Sequence, residues 1–232
     1  MGIIKLPQKS VDKFSLEYKK IFESGSLAEG DWNNSLSELI KKTVKSNGCV
    51  PVASNGSGLM CLLQIYKNYF NRKNILIQSN TMYGMYTMSM TSGYHLEGYI
   101  SCTLETLMPS LMQIKNSVES IKCEYEELVI LLSHMGGIIN PESEEIAKYC
   151  KSKNIVLIED CAHSFGSTLN NKHSGLFGNA GVFSFYSTKN LTTVEGGMLV
   201  CKNKSDLIKA KILSLHGMSR DAHSRFSKKD YK

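Results

Sequence analysis

The sequence lacks the features that mark membrane and secreted proteins. It has no apolar run near the roughly 20 residues that span a bilayer, and no charged-then-apolar segment opens the chain. Its seven cysteines are odd in number and form no Cys-x-x-Cys pair, so a disulfide framework is not indicated. We therefore expect a cytoplasmic protein that does not engage a membrane.

Signatures of nucleic-acid, nucleotide and metal binding are also missing. Of the net charge of +6, half lies in the last segment, 216–232, instead of along a face with aromatic residues, so no nucleic-acid partner is predicted. The string Asn55-Gly56-Ser57-Gly58 begins like a dinucleotide fingerprint, but Cys61 stands where the third glycine belongs. No Gly-Lys-Ser/Thr follows it, which disfavours a P-loop, and no metal site is predicted.

What the sequence does contain is an alternation of apolar runs and amphipathic segments. The predicted strands are 74–79, 95–101, 127–133, 154–160, 182–187 and 198–202. The predicted helices are 11–22, 35–44, 59–70, 83–91, 107–118 and 207–215, with another starting at Asn140-Pro141. This pattern predicts an α/β fold, a three-layer sandwich with a mostly parallel sheet.

Two side chains of opposite charge follow two of these apolar runs. Asp160 ends the run 154–160, and Lys189 follows the run 182–187, with Ser184 five residues before it. Ligands collect where the strands of such sheets end. A lysine that forms a Schiff base and a buried carboxylate that keeps a ring nitrogen protonated are the requirements of pyridoxal phosphate chemistry. The residue order therefore predicts a pyridoxal 5'-phosphate site.

Each of these features, taken alone, has an ordinary structural interpretation. The Gly56-Ser57 turn before a helix can hold a phosphate with free N–H groups and a hydroxyl, but most such turns only connect elements. Asp160 can cap the next turn instead of meeting a ligand. His163 can satisfy a local partner, and Lys189 can be a surface lysine. Only their combination favours chemistry.

Five segments carry a resemblance to a known family. They are ESGSLAEGDWNNSLSELIKK, VASNGSGLM, LIEDCAHSFGS, FSFYSTKNLTTVEGGMLV and LHGMSRDAHSRFS. In this order and spacing they resemble the sugar aminotransferases of the DegT/DnrJ/EryC1/StrS family, almost from end to end. Members are pyridoxal phosphate enzymes of fold type I, so the resemblance implies the large domain of that fold. Ser57 stands where the family's phosphate turn has Thr.

The resemblance implies a role for each matching residue. Lys189 would form the Schiff base and act as acid and base, and Asp160 would pair with the ring nitrogen. His163 would lie near the 3′-oxygen of the cofactor. The phosphate would be held by Gly56, Ser57 and Ser184. The implied reaction moves an amino group from an amino acid, usually glutamate, to a nucleotide-linked keto sugar, in a homodimer. Related sugar 3-dehydratases carry His at the lysine position.

The chain departs from the family pattern at three points. Met82 stands where an aromatic residue usually stacks on the cofactor ring, and His134 keeps only the outline of a His-x-x-Gly turn. Family members also continue into a second, smaller domain. We accordingly predict an N-terminal helical arm over 1–45, a cofactor-binding large domain over 46–215, and a basic tail over 216–232 that begins the missing domain. The alternative to an aminotransferase is a non-catalytic remnant, or a partner subunit of an intact homologue.

Overall fold

The structure, a computed structural model, describes residues 5–25, 27, 30–215 and 217. The described helices are α1 (Gln8–Ser24), α2 (Asp31–Val44), α3 (Asn55–Phe70), α4 (Tyr83–Thr91), α5 (Leu111–Glu119), α6 (Ser143–Ser152) and α7 (Lys204–Ser214). The described strands are β1 (Cys49–Val52), β2 (Asn74–Gln78), β3 (His95–Ile100), β4 (Leu128–Ser133), β5 (Val156–Cys161), β6 (Thr168–Leu169), β7 (Lys172–His173), β8 (Ala180–Ser184) and β9 (Gly197–Cys201). From β1 onward, strands and helices alternate along much of the chain.

Seven strands form one sheet in the order β1-β9-β8-β5-β4-β2-β3. The strands from β3 to β8 in this order pair in parallel, whereas β9 runs antiparallel to both of its neighbours. β6 and β7 form a separate hairpin. The carboxyl ends of β2, β4, β5 and β8 therefore share one edge of the sheet.

Helices cover both faces of the sheet, as the apolar runs require. Every residue of β2, β4, β5, β8 and β9 is buried, which is typical of central strands covered on two sides. Ile158 of β5 packs with residues of α3, α4 and α7, and Leu157 packs on the other face with residues of α5 and α6. Phe183 and Val200 extend that second face toward α2. The predicted three-layer α/β arrangement is confirmed.

Most predicted elements are present, and their boundaries differ by a few residues. The helix 83–91 is confirmed as α4. The predicted start of the helix 107–118 was wrong. Leu107 lies in a turn with a φ of 57°, and α5 begins only after Ser110. Ser110 caps the helix, because its Oγ accepts the Gln113 N–H at 3.4 Å. Asn140 does accept the Glu142 N–H at 2.9 Å, but α6 starts later, at Ser143.

Two features were not predicted from the pattern. β1 is a strand of four residues that contains Pro51 and forms the edge of the sheet, where a proline is tolerated. The β6–β7 hairpin has two residues in each strand, too few to show a period. The predicted tail 216–232 lies outside the described residues except for Gly217.

The helix α1 stands apart from the core. None of its 17 residues is buried. Along one side of it, Phe14 stacks on Tyr18 with ring centroids 5.5 Å apart, and Tyr18 meets Phe22 edge to face at 4.4 Å. Phe14 is 62% exposed. α1 therefore presents an aromatic stripe that no other described segment covers.

Among the described helices, none combines the length and apolarity needed to cross a membrane.

A fully buried pair, Glu159 and His134, connects the end of β5 to the turn after β4. Glu159 Oε2 lies 2.8 Å from His134 Nε2. His134 Nδ1 accepts the Asn140 N–H at 3.2 Å, so the ring proton lies on Nε2 and is donated to the carboxylate. The N–H groups of Gly175 and Gly178 also donate to Glu159, at 2.8 and 2.7 Å. One carboxylate thus fixes two loops.

Replacing Glu159 by alanine should destabilise the fold strongly. The change leaves the His134 N–H and two backbone N–H groups buried without acceptors, each at a cost of about 1–3 kcal/mol. We expect the free energy of unfolding to fall by about 3 kcal/mol or more, measured by urea denaturation. Glu145→Ala, at an exposed position of α6, is the matched control and should change it by less than about 0.5 kcal/mol. Equal losses in the two variants would contradict this role.

Candidate active site

The amino terminus of α3 holds two residues predicted to bind phosphate. Ser54 and Ser57 form a capping box: Ser54 Oγ accepts the Ser57 N–H at 3.1 Å, and Ser57 Oγ accepts the Ser54 N–H at 2.9 Å. The first helical bond is from the Gly58 N–H to the Ser54 carbonyl. The N–H groups of Asn55 and Gly56 precede it and meet no acceptor among the described residues, which suits an anion.

The hydroxyl of Ser57 is already engaged within this turn. It donates to the Ser54 carbonyl at 2.9 Å while accepting the Ser54 N–H. A phosphate would gain this hydroxyl as a donor only if it replaced the bond to the Ser54 carbonyl. The structure therefore supports the backbone of α3 as the anion-binding group more directly than the Ser57 side chain.

Two glycines allow α3 to begin against the sheet. A Cβ on Gly197, at the start of β9, would lie 2.6 Å from the Ser54 carbonyl carbon and 2.8 Å from the Asn55 nitrogen. A Cβ on Gly58 would lie 2.8 Å from Val182 Cγ1. Both distances are too short for real atoms, so the close approach of α3 to β8 and β9 depends on the missing side chains.

Asp160 lies at the carboxyl end of β5, nearly buried, with 9% of its surface exposed. Its Oδ1 accepts the Asn55 Nδ2 and the Ala162 N–H, both at 3.1 Å. Its Oδ2 accepts the Ser133 hydroxyl at 3.2 Å. Asn55 Nδ2 also donates to the Val182 carbonyl at 3.0 Å. The carboxylate is thus held by groups from α3, β4 and the turn after β5.

Lys189 lies in the turn that follows β8, half-buried, with its N–H bonded to the Tyr186 carbonyl at 3.0 Å. Burial lowers the pKa of its amine, and the charge of Asp160 partly opposes this by raising the pKa. The acid and the amine predicted to act together therefore interact electrostatically. A lowered pKa increases the fraction of neutral, nucleophilic amine near neutral pH.

The other predicted cofactor residues surround the same edge of the sheet. Ser184, the last residue of β8, is buried, and its Oγ accepts the Tyr186 N–H at 3.4 Å. Met82 precedes α4 and is 59% exposed, with its side chain against Gly84. His163 is exposed in the turn after β5. Ser184 is therefore buried at the end of β8, whereas Met82 and His163 are exposed.

Three residues of this site were not predicted as site residues. They are Asn55 and Ser133, which bond Asp160, and Thr81, whose hydroxyl lies 2.6 Å from the Ser133 hydroxyl. The signal available in the sequence was position: Ser133 ends the apolar run of β4, and ligands collect where parallel strands end. Nothing in the local sequence marks Asn55 as a side chain that reaches another strand.

A cluster on the opposite face resembles a metal site only in composition. The ligand atoms of His134, Glu159 and Cys161 lie within 4.8 Å of one another. Hydrogen bonds already use both ring nitrogens of His134 and both oxygens of Glu159. Burial also raises the pKa of the Cys161 thiol well above its usual range, which disfavours the thiolate that binds metals. These contacts favour a structural role.

The loop after Lys189 contains a strained residue. Val194 adopts a φ of 72°, a conformation that is rare for a β-branched side chain. Hydrogen bonds hold it there: the Val194 N–H donates to Thr192 Oγ1 at 2.9 Å, and Thr192 and Thr193 both donate to the Phe185 carbonyl. The loop between Lys189 and β9 is therefore held against Phe185, the residue that follows β8, at the cost of strain in one residue.

Comparison with known proteins identifies the family. The sequence model of the DegT/DnrJ/EryC1/StrS aminotransferase family matches residues 9–231. The chain belongs to this family. The spore coat polysaccharide biosynthesis protein SpsC of Bacillus subtilis is 39% identical over 94 residues, which are 40% of this chain and 24% of SpsC. The uncharacterized protein MJ1066 of Methanocaldococcus jannaschii is 36% identical over 129 residues, 56% of this chain and 32% of that protein.

Solved structures share the fold. The E. coli GDP-4-keto-6-deoxy-D-mannose-3-dehydratase, solved with bound hydrated PLP, is 26% identical with a TM-score of 0.70, and the match covers 85% of this chain and 50% of that one. An aminotransferase from Psychrobacter cryohalolentis gives a TM-score of 0.81 at 18% identity, and the match covers 100% of this chain and 56% of the aminotransferase. The predicted large-domain fold is confirmed, and this DegT/DnrJ/EryC1/StrS chain spans about half the length of these structures.

The strain at Val194 predicts that a glycine would stabilise the protein. Glycine removes a cost of about 1–2 kcal/mol for the left-handed conformation and loses about 0.5–1 kcal/mol in backbone entropy. We expect Val194→Gly to raise the melting temperature by roughly 2–4 °C, since about 1 kcal/mol gives that shift at this size. Val194→Ala keeps a Cβ and should gain less. A glycine variant that melts at or below the parent temperature would show that Val194 is not strained.

Proposed function

We propose that this chain binds pyridoxal 5'-phosphate and transfers an amino group to a sugar substrate. The observation that carries the proposal is that Lys189, after β8, and Asp160, at the end of β5, lie at one edge of the sheet, close enough for the carboxylate to raise the pKa of the amine. Burial lowers the pKa of the amine, and the carboxylate acts on it electrostatically. Membership of the family and the PLP-bound state of the E. coli dehydratase support the same cofactor.

The residues present fit this cofactor at three points. The amine of Lys189 suits its aldehyde carbon, and the fixed carboxylate of Asp160 suits a protonated ring nitrogen. The free N–H groups of Asn55 and Gly56, at the positive end of α3, suit its phosphate. Ser57 and Ser184 would add hydroxyl groups at the phosphate, and His163 and Met82 would border the ring.

Each of these residues has a defined task in the proposed reaction. The cofactor, when bound, supplies an electron-withdrawing ring that stabilises negative charge on the substrate carbon. Lys189 Nζ takes up and returns the proton of the donor carbon, a role that the lowered pKa of its amine favours. Asn55, Ala162 and Ser133 donate the hydrogen bonds that hold the carboxylate of Asp160 in place, where it would pair with the protonated ring nitrogen.

The substrate class follows from the relatives rather than from the site. We propose an amino-acid donor, glutamate, and a nucleotide-linked keto sugar as acceptor. In support of this, SpsC is a polysaccharide biosynthesis protein. A GDP-4-keto-6-deoxymannose-3-dehydratase, whose structure matches this chain with a TM-score of 0.75, was solved with a trapped PLP-glutamate geminal diamine. The lysine at position 189 favours amino transfer over dehydration, because the dehydratases that the motifs resemble carry histidine there.

Association with a second chain is the proposed assembly. The aromatic stripe of α1, formed by Phe14, Tyr18 and Phe22, is exposed, and exposed apolar patches of this kind favour protein contacts. The same stripe favours the second candidate function, a partner subunit that pairs with an intact homologue and does not turn over by itself. In the first case the partner is an identical chain, and in the second it is the homologue.

Cofactor attachment is the direct test. Purified protein mixed with pyridoxal phosphate should absorb in the visible range, and borohydride should fix the cofactor mass on the peptide that contains Lys189. Attachment should speed up with rising pH and level off at a lower pH than for a free lysine amine, which titrates near about 10.4, because burial lowers the pKa of Lys189.

The control for this experiment is Lys122→Ala, which removes an exposed lysine elsewhere and should leave attachment unchanged, whereas Lys189→Ala should abolish it. Cofactor attached only to other lysines, or no attachment at all, would contradict the cofactor proposal. Adding glutamate to the loaded protein should then bleach the visible band. Cofactor bound to Lys189 without any response to glutamate would favour the non-catalytic partner subunit.

Replacing Asp160 by asparagine tests the ring-nitrogen role separately. The variant keeps the size of the side chain and removes its charge, and hydrogen bonds to charged groups contribute about 1.5–3 kcal/mol. We expect the dissociation constant for pyridoxal phosphate to rise roughly tenfold to a hundredfold, measured by absorbance titration. Asp12→Asn, on exposed α1, should leave it unchanged. An unchanged dissociation constant in Asp160→Asn would show that Asp160 only caps the turn at Ala162.

A further inference from the structure

A cavity lies at the opposite edge of the sheet, away from Lys189. Its volume is about 550 Å³, within the usual range for small-molecule sites. The amino ends of β5 and β8, the carboxyl end of β9, and α6 surround it. Val156, at its wall, and Asp160, in the candidate active site, are separated by four strand positions, about 13 Å. The two sites are therefore distinct.

The walls of this cavity carry cations with little opposite charge. The cationic side chains are Arg72, Lys148, Lys151, Lys172 and Lys202, and the single carboxylate is that of Glu144. Within the described part of the chain, none of these five cations forms an ion pair. With one carboxylate among the lining residues, these cations give the cavity a positive potential, which concentrates anions.

Arg72 is the buried member of this group, with 7% of its surface exposed. Its guanidinium donates to neutral oxygens: Nη1 to the Asn154 carbonyl at 2.7 Å and Nη2 to Asn154 Oδ1 at 3.1 Å. Its Nε is buried and has no hydrogen-bond partner. A buried cation whose hydrogen bonds reach only neutral groups is costly. The charge of Glu126 partly offsets the burial of Arg72, and an anion in the adjoining cavity would offset it further.

Hydrogen-bond donors other than lysine also line the cavity. Asn179 uses its Oδ1 to accept the Leu157 N–H at 2.9 Å, so the amide nitrogen remains as a donor. Asn154 likewise gives its Oδ1 to Arg72. Lys172 Nζ lies 4.7 Å from the centroid of the Phe177 ring, which fixes that ammonium without neutralising it. The free groups of the wall are thus mainly donors, as a site for an anion requires.

From these observations we propose that the cavity bounded by Arg72, Lys148, Lys172 and Lys202 binds an anion that carries a diphosphate group. Several separated ammonium groups match an anion with several oxygens better than a single carboxylate, because each ammonium acts as a point charge. A free diphosphate and the diphosphate of a nucleotide share this chemistry. The site goes beyond the proposed amino transfer and is independent of it.

For the test, the full chain is first saturated with pyridoxal phosphate, which occupies the active site. It is then titrated with inorganic pyrophosphate at constant ionic strength in a calorimeter. We expect saturable binding of one pyrophosphate per chain with a dissociation constant below about 1 mM. Binding should weaken as salt is added. A second titration with uridine diphosphate distinguishes the sources. Binding that is tighter than that of pyrophosphate and is weakened by Lys148→Gln/Lys202→Gln means that a nucleoside adds contacts in the cavity, and equal binding means that the diphosphate alone is recognised.

The double variant Lys148→Gln/Lys202→Gln removes two exposed cations of the cavity and should weaken pyrophosphate binding at least tenfold. Its matched control is Lys9→Gln/Lys13→Gln, which makes the same change of charge on exposed α1 and should bind as the parent does. Circular dichroism and retained cofactor binding confirm folding of both. No saturable binding by the parent, or an equal loss in the two double variants, would overturn the proposal, the latter by showing attraction to net charge alone.

Discussion

The nearly buried carboxylate of Asp160 is the constraint on which the candidate site depends. A charge at this depth is tolerated only when donors surround it. Those donors come from α3 through Asn55, from the end of β4 through Ser133, and from the turn after β5 through Ala162. Asn55 also bonds the carbonyl of Val182 in β8. One charge therefore fixes the mutual positions of the elements that would hold the cofactor.

The two neighbouring acids of β5 illustrate how one strand serves both chemistry and stability. Because side chains alternate along a strand, Asp160 faces α3 while Glu159 faces the other side of the sheet. Glu159 is wholly buried and bonds His134, Gly175 and Gly178. That arrangement holds the turn after β4 and the loop before β8. The same alternation leaves Asp160 open to a ligand and removes Glu159 from it.

Much of the fold could be predicted because its central strands are covered on both faces. For that reason β4 is apolar up to Ser133 and β5 begins with the apolar residues 156–158, and α4 was placed at its observed ends. Prediction failed where the local sequence carries no period. β1 is short and contains Pro51, and Leu107 belongs to a turn although it continues a helical spacing. In the candidate site, Lys189 and Asp160 were predicted from their order along the chain and from the motifs around them, whereas Asn55 and Ser133, which are common polar residues, were not predicted.

The amino-acid sequence by itself determined the α/β class, the order of the strands along the chain and the family, because spacing and residue type are local properties. The tertiary structure decided which groups meet. The link from Asn55 to Asp160 joins residues 105 positions apart, and the approach of α3 to β9 depends on Gly197 having no side chain. The cationic cavity likewise draws on segments from Arg72 to Asn203. Such contacts depend on strand order and helix packing, which no stretch of the sequence encodes alone.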